Sequence, residues 1–505
     1  MVFAAKAHPR IPTKDILSWI FDAPNYDLDK PILIDPSDPS RSISHNQAKK
    51  LICKLASGLR KAGLEKGDCV NIHCFNDIYY PILFLGVVAA GGVFAGTNPA
   101  YTEFKVTHHL KTANAKFAIS ESQIVAPVLA AAKAIGMPVS NMWIFNESDP
   151  HLPPGMKSWR SLLQAGHGDA VRFEGLEIAK NTGAAIFFSS GTTGLPKAAL
   201  LSHYNIVAQH TLVYDMHPTS FEVIRLVPLP LFHVAAALMT HTSALKNGIQ
   251  TYIMCRFDLA KFVEYIQRYR VSDLVLVPPI AVALVNAPIA TKSAFRTIRL
   301  ARCGAAPLDK SLQSMLRKKL PADAPFTQGF GMTEISCLGL MTLYPEDDDT
   351  GSIGRLIPGL EAKLVDEAEK DVSAHDVRGE LCLRGPTVIS GYFNNPDANR
   401  EAFDSEGWFR TGDIAYCAAG TEKWYIVDRK KDLIKVRGFQ VAPPEIEGVL
   451  MAHSEITEAA VIGVALPDQG GEHPRAYVVR AGGTDGSKGL TEEEVKSFVG
   501  SRLAK

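Results

Sequence analysis

Apolar residues along this chain recur with two periods, and the period changes along its length. Up to about residue 180, helical spacing alternates with short β-branched runs. It predicts a helix over Ser44 to Ala62 and strands over Cys69 to His73 and Lys116 to Ser120. From about residue 220 the alternation resumes, with strands over Val223 to Val227, Leu274 to Val277 and Arg299 to Cys303 and a helix over Leu259 to Arg268. Strand and helix taking turns predicts α/β units with largely parallel sheets. After about residue 350 come short strands between Gly and Pro turns, over Ala362 to Val365, Glu380 to Arg384 and Glu422 to Asp428. The basic run Arg429, Lys430, Lys431 then leads into a compact α+β tail, in which Thr491 with Glu494 forms a capping box. The expected fold class is α/β. A large N-terminal domain of two α/β subdomains would carry a small β-rich subdomain at about 350–428, and a small α+β C-terminal domain would follow.

The apolar run Pro81 to Gly96 is broken by Gly86, Gly91 and Gly92 and is shorter than the roughly 20 residues a membrane span needs. A buried helix running into a strand is expected there. With 505 residues, at least two domains are expected, and 46% hydrophobic with 21% charged residues fits a globular enzyme. The 53 basic and 53 acidic side chains cancel, which leaves no electrostatic footprint for nucleic acid or an anionic membrane and favours small-molecule partners. The eight cysteines show no C-x-x-C pair and sit mostly in apolar runs, as in a cytoplasmic protein without a zinc site. Met1 to Pro12 has no continuous apolar region, so a secretory signal is not expected.

The segment richest in chemistry is Ser189-Ser190-Gly191-Thr192-Thr193-Gly194-Leu195-Pro196-Lys197. Four hydroxyls, two glycines and a lysine share nine positions, between an apolar run Ala184 to Phe188 and a second, Ala198 to Leu201, with Ser202 placed to cap a helix. A Walker A loop needs Gly-Lys-Ser/Thr opening a helix, whereas Pro196 stands before this lysine and Ala198 after it. Two readings stand at this point. One is a loop whose N–H groups and Lys197 wrap a polyphosphate; the other is a Gly/Thr surface turn.

Further segments carry candidate chemistry. Gln328-Gly-Phe-Gly-Met-Thr-Glu334 supplies Phe330 to stack on a base, Thr333 to bond a phosphate and Glu334 to ligate Mg²⁺, or else it is a Gly-rich turn before a helix. Gly407-Trp-Phe-Arg-Thr-Gly-Asp413 ends in a carboxylate suited to a ribose diol, or is a type I turn. The basic stretch from Asp428 to Gln440 reads by itself as a solvated charge run. His233, in Pro230-Leu-Phe-His-Val-Ala235, reads by itself as a core histidine.

Taken together and in this order, these segments resemble the acyl-adenylate-forming (AMP-binding) superfamily, and within it the 4-coumarate:CoA ligase and acyl-CoA synthetase branch, especially fungal members. The resemblance covers nearly the whole chain. The motifs at 189–197, 328–334, Thr411-Gly-Asp413 and Gly438-Phe-Gln-Val-Ala-Pro443 carry it. It implies an N-terminal domain over 1–428, a hinge at 429–431 with Lys431, and a mobile C-terminal domain from 432. It implies that Ser189 to Lys197 close over the ATP β- and γ-phosphates. Ala305, Ala306 and Phe330 would flank adenine beside Gly331, Thr333 would meet the α-phosphate and Glu334 the magnesium. Asp413 and Arg429 would hold the ribose, and His233 would lie beside the acyl carboxylate. Ala235, Met239, Cys303, Gly304, Ile335 and Cys337 would line the acyl pocket, and Lys435 and Gln440 would serve thioester formation. The implied reaction is two-step. A carboxylate attacks the α-phosphate of ATP to give acyl-AMP and pyrophosphate, and coenzyme A then displaces AMP.

Plant-type coumarate ligases carry a tyrosine and a serine where this chain has Ala235 and Met239, so a wider, more apolar pocket is expected, for an aliphatic, medium-chain or bulky aryl acid. No pocket aspartate follows Phe232-His233-Val234, which disfavours amino acids. The family continues beyond the counterpart of Lys505, through a Gly-Lys motif whose lysine aids adenylation. The expectation is therefore an incomplete C-terminal domain, slowed on the order of 10²–10³ in that step, with Lys488 a turn residue and a peroxisomal ending not assessable. Two alternatives accompany the ligase reading: an adenylating enzyme serving a carrier protein or an oxidative reaction, and a catalytically weak nucleotide- and acyl-binding protein.

Overall fold

The computed structural model describes the chain except residues 6, 8, 148–151, 190–195, 431, 437–438, 442, 466–471, 482–489 and 502–505. It divides into two compact units. The larger comprises residues 4–361 and 384–407, the smaller residues 1–3, 362–383 and 408–505.

The larger unit contains two sheets. One runs in the order Lys197–Ser202, Gly183–Ser189, Val93–Gly96, Cys69–His73, Ala115–Ser120, Met142–Ile144, Lys157–Ser158, parallel except at the first pair. The other has nine strands. Its parallel centre is Phe326–Met332, Leu300–Cys303, Asp273–Leu276, Ile224–Val227, Gln250–Ile253 and Pro31–Ile34, with antiparallel strands at both edges. This is the α/β arrangement expected from the alternation of periods. The helix Tyr80–Ala89 is buried along its whole length and leads into Val93–Gly96, the buried helix running into a strand that the uncharged run predicted. Gly86 lets it approach the helix His45–Lys61, since a Cβ there would lie 2.4 Å from Leu55 Cδ2. Ser44 caps that second helix in a capping box with Gln47, and together the two helices feed one large hydrophobic core.

Two turns of helix, Thr211–Asp215 and Met239–Ser243, are wound as π-helix, which the 3.6-residue pattern did not announce.

The smaller unit is built on a five-stranded sheet ordered Phe3–Ala4, Glu361–Val365, Gly379–Arg384, Phe409–Cys417, Trp424–Arg429. Among the described residues two hairpins and two helices follow it, and Thr491 caps the helix Glu492–Gly500 with Glu494 as expected. The strand expected from Glu422 begins instead at Trp424, because Gly420 and Glu422 take positive φ (76° and 56°) and form the turn. Among the described residues no helix is long and apolar enough to cross a membrane, and no disulfide joins the cysteines.

Candidate active site

In an open parallel sheet the strands' carboxyl ends form the natural ligand crevice, because loops leave them on one side with backbone N–H groups exposed. Several of the residues singled out in the larger unit follow such ends. His233 comes after Ile224–Val227, Gly304 to Ala306 after Leu300–Cys303, and Thr333 and Glu334 directly after Phe326–Met332. Ser189 ends Gly183–Ser189 in the other sheet.

The two sheets meet beside His233. Gly96, the last residue of its strand, lies where a Cβ would be 2.9 Å from Phe232 Cα, so glycine is required for that approach. Asn76 pins the loop before His233: its Nδ2 donates to Leu229 O (2.9 Å) and Met254 O (3.1 Å), and its Oδ1 accepts from Leu231 N (2.9 Å). His233 is not a core histidine. It caps the helix Val234–Leu238, with Nδ1 accepting from Ala235 N at 3.2 Å, and its ring is exposed. The surrounding protein still desolvates the imidazole enough to hold its pKa below the usual value. The buried histidine of this segment is His241, which stacks on Tyr80 and Phe84.

The backbone of the crevice is strained where it turns. Ala305 is exposed at φ 71°, and Ser336 and Cys337 have φ 57° and 102°. A Cβ on Gly331 would lie 2.0 Å from Cys337 O. Phe330 is half-buried, while Thr333 and Glu334 are buried. Among the residues expected to line an acyl pocket, Ala235, Gly304 and Cys337 are half-buried, Met239 and Cys303 are buried, and Ile335 is fully buried against Gly339. Burial pushes both the Cys303 and Cys337 thiols up to about 12, so both stay protonated. The neighbouring Arg302 is turned to Asp273, with Nη2 at 3.0 and 3.2 Å from its two oxygens, and Arg225 Nε donates to the same carboxylate at 2.8 Å.

The segment 189–197 joins strand to strand, as expected, with Ser189 and Lys197 paired in register; residues 190–195 lie outside the described residues. The next element begins at Ser202, which caps His203–His210 with Asn205. The helix Glu103–Thr112 holds both stems of the loop. His109 stacks on Phe188 at 3.6 Å, and His108 Nε2 bonds Pro196 O at 2.8 Å. Lys197 Nζ stands 5.2 Å from the centre of the Tyr392 ring, and the Tyr392 hydroxyl donates to Glu334 Oε1 at 2.8 Å. Sequence reasoning passed over Asn76, His108, His109 and Tyr392, because each acts through a contact distant in sequence.

In the smaller unit, Thr411 to Asp413 do not form a turn but lie within Phe409–Cys417, opposite Trp424–Arg429. Asp413 is buried and faces Arg429 in register, with Arg429 Nε 3.5 Å from its Oδ1. Lys435 and Gln440 are paired in register across the hairpin Ile434–Val436/Phe439–Val441, while their side chains, and all of Lys431, Lys488 and Lys505, lie outside the described residues.

A family model described as AMP-binding enzyme matches residues 21–393, and one described as AMP-binding enzyme C-terminal domain matches residues 445–505. The chain is 50% identical to a phenylacetyl-CoA ligase of Aspergillus niger over all of its own length and 94% of that protein's. It is 34% identical to a 4-coumarate–CoA ligase of Petroselinum crispum over 94% of this chain and 86% of that one. Among solved structures, ATP-bound MatB from Rhodopseudomonas palustris superposes with a TM-score of 0.83 at 27% identity, covering 97% of this chain and 92% of that one. The chain therefore belongs to the AMP-binding enzyme family. Within it, this is an AMP-forming acid:CoA ligase, which activates a carboxylic acid with ATP as acyl-AMP and passes the acyl group to coenzyme A.

Proposed function

We propose that this ligase takes a monocarboxylic acid with an apolar tail, aryl or aliphatic, and works with Mg²⁺·ATP. The observation that carries the site assignment is Tyr392, which brings the lysine of the phosphate loop and the carboxylate of Glu334 onto one side chain. Lys197 holds the β- and γ-phosphates together with Ser189 and the loop residues Ser190 to Gly194. Phe330, Gly331, Ala305 and Ala306 flank the adenine, Thr333 meets the α-phosphate, and Asp413 with Arg429 takes the ribose. Glu334 fits Mg²⁺: it offers a buried hard oxygen to an ion that otherwise keeps waters and phosphate oxygens. Bound there, the ion neutralises phosphate charge. The chain's own part is to orient the acid against the α-phosphate, since positioning and charge stabilisation dominate such transfers. His233, its Nδ1 taken by Ala235 N, has its Nε2–H left to donate one hydrogen bond to the acyl carboxylate. In the second step Lys435 and Gln440 serve attack by the CoA thiol, with Lys431 as the hinge.

The acid's tail is inferred from the chemistry of the side chains assigned to the acyl pocket, Ala235, Met239, Cys303 and Cys337: a methyl, a thioether and two protonated thiols. Arg302, next in sequence to Cys303, is already matched by Asp273, which disfavours a second carboxylate on the substrate. The relative named as a phenylacetyl-CoA ligase supports an aryl acid. The absence of disulfides supports a reducing compartment, here assigned as the cytoplasm.

The test is acid-dependent ATP–pyrophosphate exchange and CoA-thioester formation across phenylacetate, medium-chain fatty acids, 4-coumarate, a dicarboxylate and amino acids. Phenylacetate or a medium-chain acid should lead. A preference for 4-coumarate or for the dicarboxylate would overturn the assignment.

A further inference from the structure

Tyr392 lies outside every motif singled out in the sequence, yet it is held in place from several sides. Its backbone is docked on the strand that starts with Lys197: Tyr392 bridges Ala199, and Phe393 N donates to Ala198 O at 2.8 Å. From the other side Asn399 clamps it. Asn399 Oδ1 accepts from Tyr392 N at 2.6 Å, and Asn399 Nδ2 donates to Tyr392 O at 3.1 Å. Gly391 has φ 153° and no room for a side chain, since a Cβ would lie 2.9 Å from the Asn399 amide. The backbone before Tyr392 reaches Glu334 as well, with Ile389 N donating to Glu334 O at 2.9 Å.

Glu334 is only 4% exposed. Its Oε1 accepts from the Tyr392 hydroxyl at 2.8 Å, and among the described residues its Oε2 has no hydrogen-bond partner. A carboxylate held by one oxygen presents the other in a single direction, which is how an outer-shell partner orients a metal ligand. The same tyrosine ring carries Lys197 Nζ over it at 5.2 Å, near enough for a cation–π contact. The phosphate-binding cation and the metal-binding anion are thereby registered to each other through a rigid aromatic with two χ angles rather than through solvent.

We propose that Tyr392 is a positioning residue for adenylation: its hydroxyl fixes Glu334 with Oε2 turned to the metal of metal·ATP, and its ring sets Lys197 at the phosphates. The inference rests on the metal role given to Glu334 above. It goes beyond it in naming the residue that makes Glu334 competent.

The test uses the whole chain, with Mn²⁺ and ATP as probes and free Mn²⁺ read by electron paramagnetic resonance. Tyr392→Phe keeps the ring and its packing and removes only the hydroxyl. Mn²⁺ affinity in the presence of ATP should fall about 10–100-fold, the range for loss of an outer-shell partner. Glu334→Gln should lose affinity too, and adding Tyr392→Phe to it should change little further, because the hydroxyl acts through the carboxylate. Unchanged Mn²⁺ affinity in Tyr392→Phe, or losses that simply multiply in the double variant, would overturn the proposal. In exchange assays the half-saturating Mg²⁺ should rise by the same factor while the rate at saturating Mg²⁺ stays within about threefold of the parent; an equal loss at every Mg²⁺ concentration indicates a merely structural role and also overturns it. If the parent shows no acid-dependent exchange but the Mn²⁺ cycle shows the coupling, the substrate reading fails and the role of Tyr392 stands.

Discussion

At the scale of single residues, the candidate site is marked by places where the backbone accepts what it normally avoids. Gly331 faces Cys337 O with no space for a methyl group, and the two residues at 336 and 337 both have positive φ. Gly331→Ala must push that turn, which carries Cys337, away from Phe330 and Glu334. A displacement of about 1 Å at a positioned site costs on the order of 10² in rate, so ATP–pyrophosphate exchange should fall by about that factor while the protein remains folded. Exchange within threefold of the parent would show that the turn has slack. The glycine and its aromatic neighbour were singled out in the sequence by the run Gln328-Gly-Phe-Gly-Met-Thr-Glu334, with a Gly-rich turn as the other reading. Tyr392 was not. A lone tyrosine between Gly391 and Phe393 gives no sign of a partner 58 positions away, and only the fold supplies Glu334.

At the scale of elements, the periodic signal was strong where an element is buried on one face or throughout, and the expected strands and helices stand within one or two residues of their places. The π-helical turns were hidden, because widening a helix by one residue per turn depends on what packs against it. The segments before His233 and around Pro196 are held by side chains distant in sequence. Asn76 satisfies two carbonyls and one N–H of the segments around Leu229, Leu231 and Met254. Asn76→Ala leaves those groups buried without partners, at about 1–3 kcal/mol for an unsatisfied group. The expected outcome is a lower unfolding midpoint and, because His233 lies two residues beyond Leu231, a raised KM for the acid with the KM for ATP little changed. Equal changes in both constants would argue that Asn76 only stabilises the unit. His108 plays the corresponding part beside Lys197 by bonding Pro196 O.

At the scale of the whole molecule, the alternation of periods announced an α/β body and a β-rich region, but it could not show that residues 384–407 return to the larger unit between two segments of the smaller one. Such a return is a long-range fact without a local signature. The larger unit also encloses a set of histidines that sequence alone could not distinguish from functional ones. Burial holds His73 at about 4, and His109 and His241 at about 3, far below the ordinary 6.5. With folded pKa values depressed, the unfolded chain binds more protons than the native state between pH 6.5 and about 3–4, so stability is full above 6.5 and is lost as the pH falls through that window. At pH 5.5 each such histidine should contribute about 1.4 kcal/mol of destabilisation relative to neutral pH. His109 allows a clean test, because both its ring nitrogens are buried without partners among the described residues and its ring makes aromatic contacts, stacked on Phe188 and edge-on to Tyr101. His109→Phe keeps the stack and removes the titrating group. In urea unfolding at pH 7.5 and 5.5, the variant should lose about 1.4 kcal/mol less than the parent on acidification, and at pH 7.5 it should be at least as stable. Identical losses in the two proteins would mean that His109 is protonated in the native state, and that the stem of the loop tolerates a charge the structure gives it no means to hold.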